Sequence, residues 1–570
     1  MYIKRKGNNG RSIYHPSLLS RDVIAGITLF VMLIPQGMAY AMLAGLPPVM
    51  GLYAATVPLL IYAIFASSRH LSIGPVAITS LLVFSGVSIL AEPGSGEYIS
   101  LVILLALAVG VIQLLLGISK LGFIVKFIPH SVMNGYTSAA AIVIGLSQVK
   151  HILGIQIGNH LQVQYLLFAI VEKGHEINVI TITIGVISIL LLIVLKRIAP
   201  RFPGALLIVV LSILTVFVLN LEKRGVQIVG YVPQGFPQFQ VPSFSLETIK
   251  VLVPMAFIIA LLGFMESLAI GKAVAKEEKY KINPNRELTA LGLSNIVGSF
   301  FQSFPVNGSF SRTAVNHQSG GATQMTSVIT GALIIITLFF FTSLFYYLPN
   351  AVLAAIILVA VYKLIDIKEM KHLFQVKRFE GWVWVATFIV TLFVGIQWGI
   401  IIGALFTLVL LVKKSAEPSI VELGYVKKEN TFRNIERYTE AVTSDEATII
   451  RIDSNIHFAN ISVIEERVKS LLKERDKTKW LIIDMSGVND VDTVSVDTLE
   501  AMIDYYQNQG ITILFASMKW SIRDTVNKVN WDQKYKEQEN HLPLEQLLRS
   551  KGIRIEKADP IQDGPWDFQI

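Results

Sequence analysis

The chain has 570 residues and contains no cysteine. Disulfide bonds, thiolate metal sites and cysteine nucleophiles are therefore excluded. Charged residues make up only 16% of the sequence, whereas soluble domains carry about 25%. The sequence also has no Walker phosphate-binding loop, no His-Glu-x-x-His and no nucleophile elbow. We therefore expect neither an enzyme nor an ATP-driven pump, and no cofactor or bound metal.

Apolar residues dominate the composition and are unevenly distributed. They form 53% of the chain, and the mean hydropathy is +0.57. The long apolar runs lie between residues 20 and 412, and the remainder resembles a soluble domain. The net charge of +8 does not indicate nucleic-acid binding, because the Lys and Arg residues flank the apolar runs in short loops. The composition indicates a protein of the lipid bilayer.

Fourteen segments are expected to form membrane helices, seven on each side of a loop at residues 221–247. They cover residues 23–44, 51–66, 75–90, 98–118, 131–149, 177–195, 204–220, 249–271, 288–303, 309–316, 323–346, 350–364, 381–396 and 398–412. The first follows a polar, basic N-terminus and has no cleavage site after a short apolar core. It is therefore interpreted as a membrane helix and not as a removed signal peptide.

The loop charges predict the orientation. Lys and Arg concentrate in loops that follow even-numbered segments, such as residues 272–286 and 363–378, whereas the opposite loops are poorer in them. By the positive-inside rule, the number of spans is even. We therefore expect a multi-pass protein of the cell membrane with a cytoplasmic N-terminus and a cytoplasmic C-terminal domain.

Two segments are interrupted at comparable positions in their halves. The third opens with Ser-Ile-Gly-Pro at residues 72–75, and the tenth opens with Pro-Val-Asn-Gly-Ser at 305–309 and is too short to span. Such paired breaks mark the binding site in inverted-repeat transporters. Two half-helices with facing N-termini could bind an anion through backbone amides. The alternative is two kinks in ordinary helices.

A few polar side chains within the segments are candidates for a site. Glu266 could be an ion- or proton-coupling group, or it could form a structural ion pair with Arg312 or Lys272. Arg312 could balance the charge of a bound anion or belong to that same ion pair. Gln36 and Tyr40 lie one turn apart on the first segment, where they could bind a ligand or pack against other helices.

The chain after Pro418 reads as a small α/β domain. Residues 448–453, 480–485 and 511–516 are predicted strands, and 460–474 and 495–509 are predicted helices. Strands that alternate with helices indicate a central sheet covered by helices.

Several motifs resemble those of one family. They include Arg-Asp-Val-Ile-Ala-Gly at residues 21–26, Ile-Pro-Gln-Gly-Met-Ala-Tyr-Ala at 34–41, Ser-Arg-His-Leu-Ser-Ile-Gly-Pro-Val-Ala at 68–77 and Gly-Ser-Phe-Ser-Arg-Thr-Ala-Val-Asn at 308–316. Together they resemble the sulfate permease family. Residues 451–454 and 484–486 are similar to its C-terminal STAS domain. The resemblance extends over essentially the whole chain.

The resemblance implies an architecture and a site. The architecture is an α-helical polytopic membrane domain at 1–418, with fourteen segments as seven-plus-seven inverted repeats and two half-helices, followed by a cytoplasmic STAS domain at 435–555. It also implies a homodimer and an elevator movement of a core domain against a gate domain. Glu266 would couple a proton, and the substrate contacts would be Gln36, Tyr40, Val76, Ala77, Ser309, Phe310, Ser311 and Arg312.

The function expected from these observations is secondary active transport of a small anion, with proton-coupled sulfate uptake favoured. Sodium-coupled bicarbonate transport and C4-dicarboxylate transport are alternatives. An anion channel, or an anion-sensing membrane scaffold that signals through the STAS domain, is an alternative of another class. Glu266 argues against a simple channel, because a channel needs no coupling group.

The STAS-like region departs from the related anti-sigma antagonists at their phosphorylated serine. The aligned stretch runs from Asp492 to Ser495 and places Val494 at the acceptor position. Phosphorylation at that position is therefore not expected, and Thr493 and Ser495 are the remaining candidates.

Overall fold

The computed structural model describes residues 18–123, 129–157, 162–199, 203–242, 246–475, 477–538 and 541–553. The chain divides into two compact units, Met1–Thr407 and Leu408–Ile570. Each unit is described by itself.

The first half of the membrane unit contains a helix for each of the seven predicted segments. The second segment is divided between two helices, because Pro58 lies in the first turn of the latter and proline cannot continue a preceding helix. The elements are α1 (Leu19–Leu43), α2 (Val49–Ala54), α3 (Val57–Phe65), β1 (Ile73–Gly74), α4 (Ala77–Val87), α5 (Gly96–Ile118), α6 (His130–Leu153), α7 (Val163–Glu172), α8 (Val179–Ile198) and α9 (Gly204–Leu219).

The second half also contains a helix for each predicted segment. Its elements are α10 (Leu246–Glu277), α11 (Pro284–Ser299), β2 (Asn307–Gly308), α12 (Phe310–Gln318), α13 (Met325–Phe340), α14 (Asn350–Val361), α15 (Ile367–Val376), α16 (Arg378–Phe393) and α17 (Ile396–Ala416). Helices α7 and α15 are additional to the predicted segments. Each has only 10 residues, which is too short to span a bilayer.

Within the described residues, six helices are long and apolar enough to cross a membrane individually. The half-helices α4 and α12 have 11 and 9 residues, or about 16 Å and 13 Å at 1.5 Å per residue. Neither reaches across a hydrocarbon core of about 30 Å. The backbone before each of them is therefore non-helical at membrane depth, where it must be covered by protein.

The membrane helices pack as two bundles. In the first bundle, α1 packs on α13, α3 and α5 pack on α11, and α10 packs on α5, α4 and α12. In the second bundle, α6 packs on α14, α16 and α8, and α8 packs on α14 and α9. The bundles meet where α1 contacts α14 and α9, and where α4 contacts α6.

The first bundle is held together by close helix contact. A Cβ added to Gly110 of α5 would lie 2.8 Å from the carbonyl oxygen of Gly292, and a Cβ on Gly292 of α11 would lie 2.8 Å from that of Gly110. Small residues of this kind let membrane helices approach until their backbones touch. A side chain at either position would push α5 and α11 apart, so this pair forms a rigid part of the bundle.

The C-terminal unit is an α/β domain with a five-stranded sheet of order β4-β3-β5-β6-β7. Strands β5, β6 and β7 are parallel, whereas β3 is antiparallel to both β4 and β5. The elements are β3 (Ile420–Val426), β4 (Thr431–Asn434), β5 (Ala447–Ile452), α18 (Ile461–Lys473), β6 (Trp480–Asp484), α19 (Thr493–Asn508), β7 (Thr512–Ala516), α20 (Trp520–Val526), α21 (Trp531–Lys534) and α22 (Leu544–Ser550).

The predicted strands and helices of this domain coincide with β5, β6, β7, α18 and α19. The sheet also contains β3 and β4, which precede the predicted start at residue 435. The predicted last residues, 554 and 555, lie outside the described residues. In the stretch aligned with a phosphorylation site, Ser495 is fully buried, whereas Thr493 is exposed at the start of α19.

Candidate anion-binding site

The two interrupted segments meet at a small antiparallel sheet. Strand β1 pairs with β2 so that Ile73 lies opposite Gly308 and Gly74 lies opposite Asn307. The backbone N–H of Ser309 extends the pairing by donating to the carbonyl oxygen of Ser72 over 3.0 Å. The backbone groups released by the breaks are thus hydrogen-bonded to each other, and α4 and α12 both start from this sheet.

Each half-helix also anchors the strand from the other half. The side-chain amide of Asn307, the first residue of β2, donates to the Thr79 hydroxyl of α4 over 2.8 Å. Reciprocally, the Thr313 hydroxyl of α12 accepts a 3.1 Å bond from the backbone N–H of Ser72, directly before β1. Sequence reasoning missed this role for Asn307, Ser72 and Thr313. The only available signal was a polar residue beside each break and a hydroxyl in each first helical turn.

Helix α10 presses against β2 from one side. A Cβ on Gly263 would lie 2.1 Å from side-chain atoms of Asn307, so only glycine allows this approach. The Ser267 hydroxyl then accepts a 2.8 Å hydrogen bond from the backbone N–H of Gly308. Helix α10 therefore fixes the position of the junction as well as carrying Glu266.

The starts of the two half-helices differ in their caps. Val76, the residue before α4, has no side-chain capping group, and Ala77 begins the helix. At α12, the Ser309 hydroxyl accepts a 3.5 Å bond from the backbone N–H of Arg312. Val76, Ala77 and Ser309 are 8%, 7% and 7% exposed. The first N–H groups of α4, which no helical carbonyl can satisfy, are thus available to a bound anion.

Arg312 is fully buried at this junction. One terminal nitrogen, Nη1, donates to the carbonyl oxygen of Pro75 over 2.9 Å. Its Nε and Nη2 atoms have no hydrogen-bond partner among the described residues. Buried polar groups are nearly always paired, so two unsatisfied donors on one guanidinium indicate a place for a ligand. Their spacing suits an oxyanion, which accepts two parallel N–H bonds.

Gln36 and Tyr40 lie one turn apart on α1 and are 8% and 5% exposed. The Oε1 atom of Gln36 has no partner in the described part of the chain. The Tyr40 phenol lies close enough to Arg312 for an electrostatic interaction. The structure therefore brings Tyr40, Val76, Ala77, Ser309 and Arg312 together, and Gln36 lies one turn before Tyr40 on α1.

Phe310 and Ser311 occupy a different position from the other predicted site residues. Phe310 is 70% exposed, and Ser311 is also exposed on the first turn of α12. The Ser311 hydroxyl lies 3.3 Å from that of Ser309. These two exposed side chains do not enclose the buried Arg312 guanidinium.

Glu266 is only partly buried on α10, and the structural ion pair considered for it is not found. No Lys, Arg or His among the described residues forms a salt bridge with it, so neither Arg312 nor Lys272 is its partner. It interacts electrostatically with Tyr136 of α6, whose hydroxyl has no described partner. Glu266 therefore lies where the first bundle faces the second. No metal-binding cluster of three His, Asp or Glu residues occurs within the described ranges.

A buried carboxylate outside the predicted site holds the chain before β1. Glu287 of α11 is 1% exposed and accepts hydrogen bonds from the Tyr62 hydroxyl at 2.5 Å, the Ser67 N–H at 2.7 Å and the Ser68 N–H at 2.6 Å. Sequence reasoning missed Glu287 because it lies at the polar start of a segment, where an acidic residue normally favours the helix dipole.

The family comparisons agree with this architecture. The model of the sulfate permease family matches residues 19–387, and that of the STAS domain matches residues 438–541. Sulfate transporter 4.1, chloroplastic, of Arabidopsis thaliana is 37% identical over 521 residues, which cover 89% of this chain and 76% of that protein.

Two solved structures show the same fold. The murine Solute Carrier 26 family member A9 anion transporter superposes with a TM-score of 0.89 at 24% identity, over 95% of this chain and 93% of that one. The transmembrane domain of a cyanobacterium bicarbonate transporter, BicA, gives a TM-score of 0.60 at 20% identity, over 69% and 98%. The expected seven-plus-seven helical membrane domain with a C-terminal STAS domain is thereby confirmed, and this chain belongs to the sulfate permease family of multi-pass membrane transporters.

Proposed function

We propose that this protein is a secondary active transporter that takes up sulfate together with a proton. The observation that carries the proposal is Arg312, a fully buried guanidinium with two unsatisfied donors at the meeting point of two half-helices. Relatives over most of the chain are named sulfate transporters, which supports sulfate as the anion.

The charge of the site favours a divalent anion. Each half-helix contributes about half a positive charge at its N-terminus, and Arg312 contributes one full charge. Together they provide about two positive charges, which balance the two negative charges of sulfate. Monovalent bicarbonate would leave the site positively charged. A C4-dicarboxylate separates its charges over four carbons and fits one guanidinium less well.

The two bundles provide the basis for an elevator movement. The junction of β1 and β2, both half-helices and Arg312 all belong to the first bundle. The close contact of α5 and α11 favours movement of that bundle as one body. We propose that it slides against the second bundle and carries the anion, while the C-terminal domain remains cytoplasmic in a homodimer at the cell membrane.

Glu266 is proposed as the proton-coupling group. It faces the second bundle without a described cation partner, so its charged form would have to cross an apolar contact uncompensated. Protonation removes that charge. A bound anion also repels the ionised carboxylate, so anion and proton bind with positive coupling, and the effect is reciprocal. The coupling acts through space, because no ion pair links Glu266 to Arg312.

Uptake into liposomes tests the proposal. Labelled sulfate, bicarbonate and fumarate are offered under an imposed proton or sodium gradient. We expect saturable sulfate uptake that an inward proton gradient accelerates and that sodium does not change. Strict dependence on sodium, or uptake of bicarbonate in preference to sulfate, would contradict the proposal.

Two site variants separate binding from coupling. Arg312→Lys should abolish sulfate binding, since an ammonium cannot replace the planar fork. Glu266→Gln should bind sulfate but lose acceleration by the proton gradient. Glu247→Gln, on the exposed first turn of the same helix, is the matched control and should behave as wild type. A folded Glu266→Gln protein that still concentrates sulfate on a proton gradient would exclude the coupling role.

A further inference from the structure

A second polar cavity lies where the two bundles meet, apart from the Arg312 junction. Its volume is about 400 Å³, and its walls come from the C-terminal ends of α1 and α6 and from α4. We call it the α1–α6 cavity. The side chains that define it are Leu43, Phe84, Ser147, Gln148, Lys150 and His151.

Along α1 and α4, the α1–α6 cavity lies about one helical turn further from the helix N-termini than the Arg312 site does. Leu43 follows Tyr40 by three residues on α1, a rise of about 4.5 Å. Leu81, another lining residue, follows Ala77 by four residues on α4, a rise of about 6 Å. Both steps lead away from the basic loops and towards the external face in the proposed topology. An anion that approaches the site from outside would therefore meet this cavity first.

The lining suits a hydrated anion. It contains the Lys150 ammonium and the His151 imidazole, and no Asp or Glu belongs to the described lining. Gln148 is 3% exposed. Its Nε2 donates to Ser147 over 3.1 Å, and its Oε1 has no partner among the described residues. That oxygen can accept a hydrogen bond from a water molecule of the ion's hydration shell.

The dimensions agree with this chemistry. At about 30 Å³ for each water molecule, the cavity holds roughly a dozen molecules of that size, which is enough for a tetrahedral oxyanion with part of its shell. Its remaining walls are apolar residues of the membrane bundles. A cleft with one sign of charge and apolar walls concentrates counter-ions, by tenfold or more.

We propose that the α1–α6 cavity is an entry site that collects a hydrated oxyanion such as sulfate before the anion moves to Arg312. The inference rests on the proposed function, because it assigns the cavity to the path of the transported anion. Lys150 supplies the charge, and His151 and Gln148 hold the ion through hydrogen bonds and water. Since these groups lie outside the Arg312 site, they set the apparent affinity and leave the maximal rate unchanged.

The first test compares two lysines on the same face. Lys150→Gln removes the charge of the cavity. Lys173→Gln removes an exposed lysine, paired with Glu176 at 2.7 Å, that does not line the cavity. We expect Lys150→Gln to raise the KM for external sulfate about tenfold with an unchanged maximal rate, and Lys173→Gln to match wild type. Raising ionic strength should shrink the difference, because salt screens the charge.

The second test uses the absence of cysteine from the chain. Lys150→Cys introduces the only thiol, which methanethiosulfonates convert to a mixed disulfide with release of sulfinate. An aminoethyl reagent restores an ammonium at this position and should lower the KM again. A sulfonatoethyl reagent places an anion there and should raise the KM further. Because one protein preparation gives both results, misfolding cannot produce the contrast.

Protection provides a measurement that does not depend on transport. Sulfate should slow the reaction of the sulfonatoethyl reagent with Lys150→Cys, but not with Lys173→Cys. The entry site is overturned if Lys150→Gln and Lys173→Gln have equal KM values, or if sulfate leaves the Lys150→Cys reaction unchanged. A wild-type protein that takes up no sulfate would instead contradict the proposed function, and sulfate protection would still decide whether the cavity binds the anion.

Discussion

Gly74 offers a direct test of how closely the junction must fit around Arg312. Its φ angle of +146° lies in a region that side-chain-bearing residues rarely adopt. A Cβ at this position would lie 3.3 Å from Nη2 of Arg312, one of the two unsatisfied donors. Gly74→Ala therefore strains the backbone of β1 and crowds the guanidinium in one substitution.

The expected size of the effect follows from these two facts. A residue forced into a glycine-only conformation costs about 1–3 kcal/mol. Relaxation has to move β1 or Arg312 by a few tenths of an ångström, so part of the strain is transferred to the site. If binding requires the original geometry, a cost of about 1–3 kcal/mol weakens sulfate binding about 5- to 150-fold.

The assay is titration calorimetry of sulfate into purified protein, with a thermal unfolding scan of the same sample. Gly230→Ala is the matched control. Gly230 also has a positive φ, +76°, but a Cβ there would meet nothing within 4 Å, and it does not line the α1–α6 cavity. It should lower stability and leave the sulfate Kd unchanged. A Gly74→Ala protein with the wild-type Kd would show that the anion does not depend on this junction, and would refute the assignment.

Three further predictions concern other parts of the chain. Glu287→Gln should lower the midpoint of thermal unfolding, at a cost of about 1–3 kcal/mol, because a neutral amide oxygen accepts the buried N–H bonds of Ser67 and Ser68 more weakly than a carboxylate does. The pKa of His70 is lowered by burial, against the opposing charge of Glu278. The contribution of neutral His70 to the free energy of unfolding should therefore be fully present above the unfolded-state pKa of about 6.5 and should be lost as the pH falls below it. In His70→Gln, the loss of stability at low pH should be smaller. Truncation after Pro418 should leave sulfate binding by the membrane unit unchanged when measured by calorimetry.

Each of these predictions has a clear opposing result. Glu97→Gln, which removes an exposed carboxylate, is the control for Glu287→Gln, and equal melting of the two would contradict the anchoring role. If the unfolding midpoint changes between pH 5 and pH 7.5 by the same amount in wild type and in His70→Gln, His70 is not the cause of the pH dependence. Complete loss of binding in a folded truncation would assign part of the site to the C-terminal unit.

The sequence by itself determined the membrane helices, the paired breaks and the α/β character of the C-terminal domain. These features depend on local properties. A run of apolar residues long enough to span a bilayer can be read without knowledge of its neighbours, and so can a Gly-Pro break such as that at Gly74 and Pro75. The positions of Arg312 and Glu266 within apolar segments were visible for the same reason.

Only the tertiary structure decided which of these groups meet. Arg312 donates to Pro75 across 237 positions of the chain, and the bond from Asn307 to Thr79 spans 228 positions. The same applies to Glu266, for which Arg312 was a reasonable ion-pair partner until the structure placed it near Tyr136 of the other bundle. Contacts of this kind depend on how helices pack, and helix packing is set by side chains from both partners. A single segment records only one side of each contact, so its sequence predicts the helix but not its neighbour.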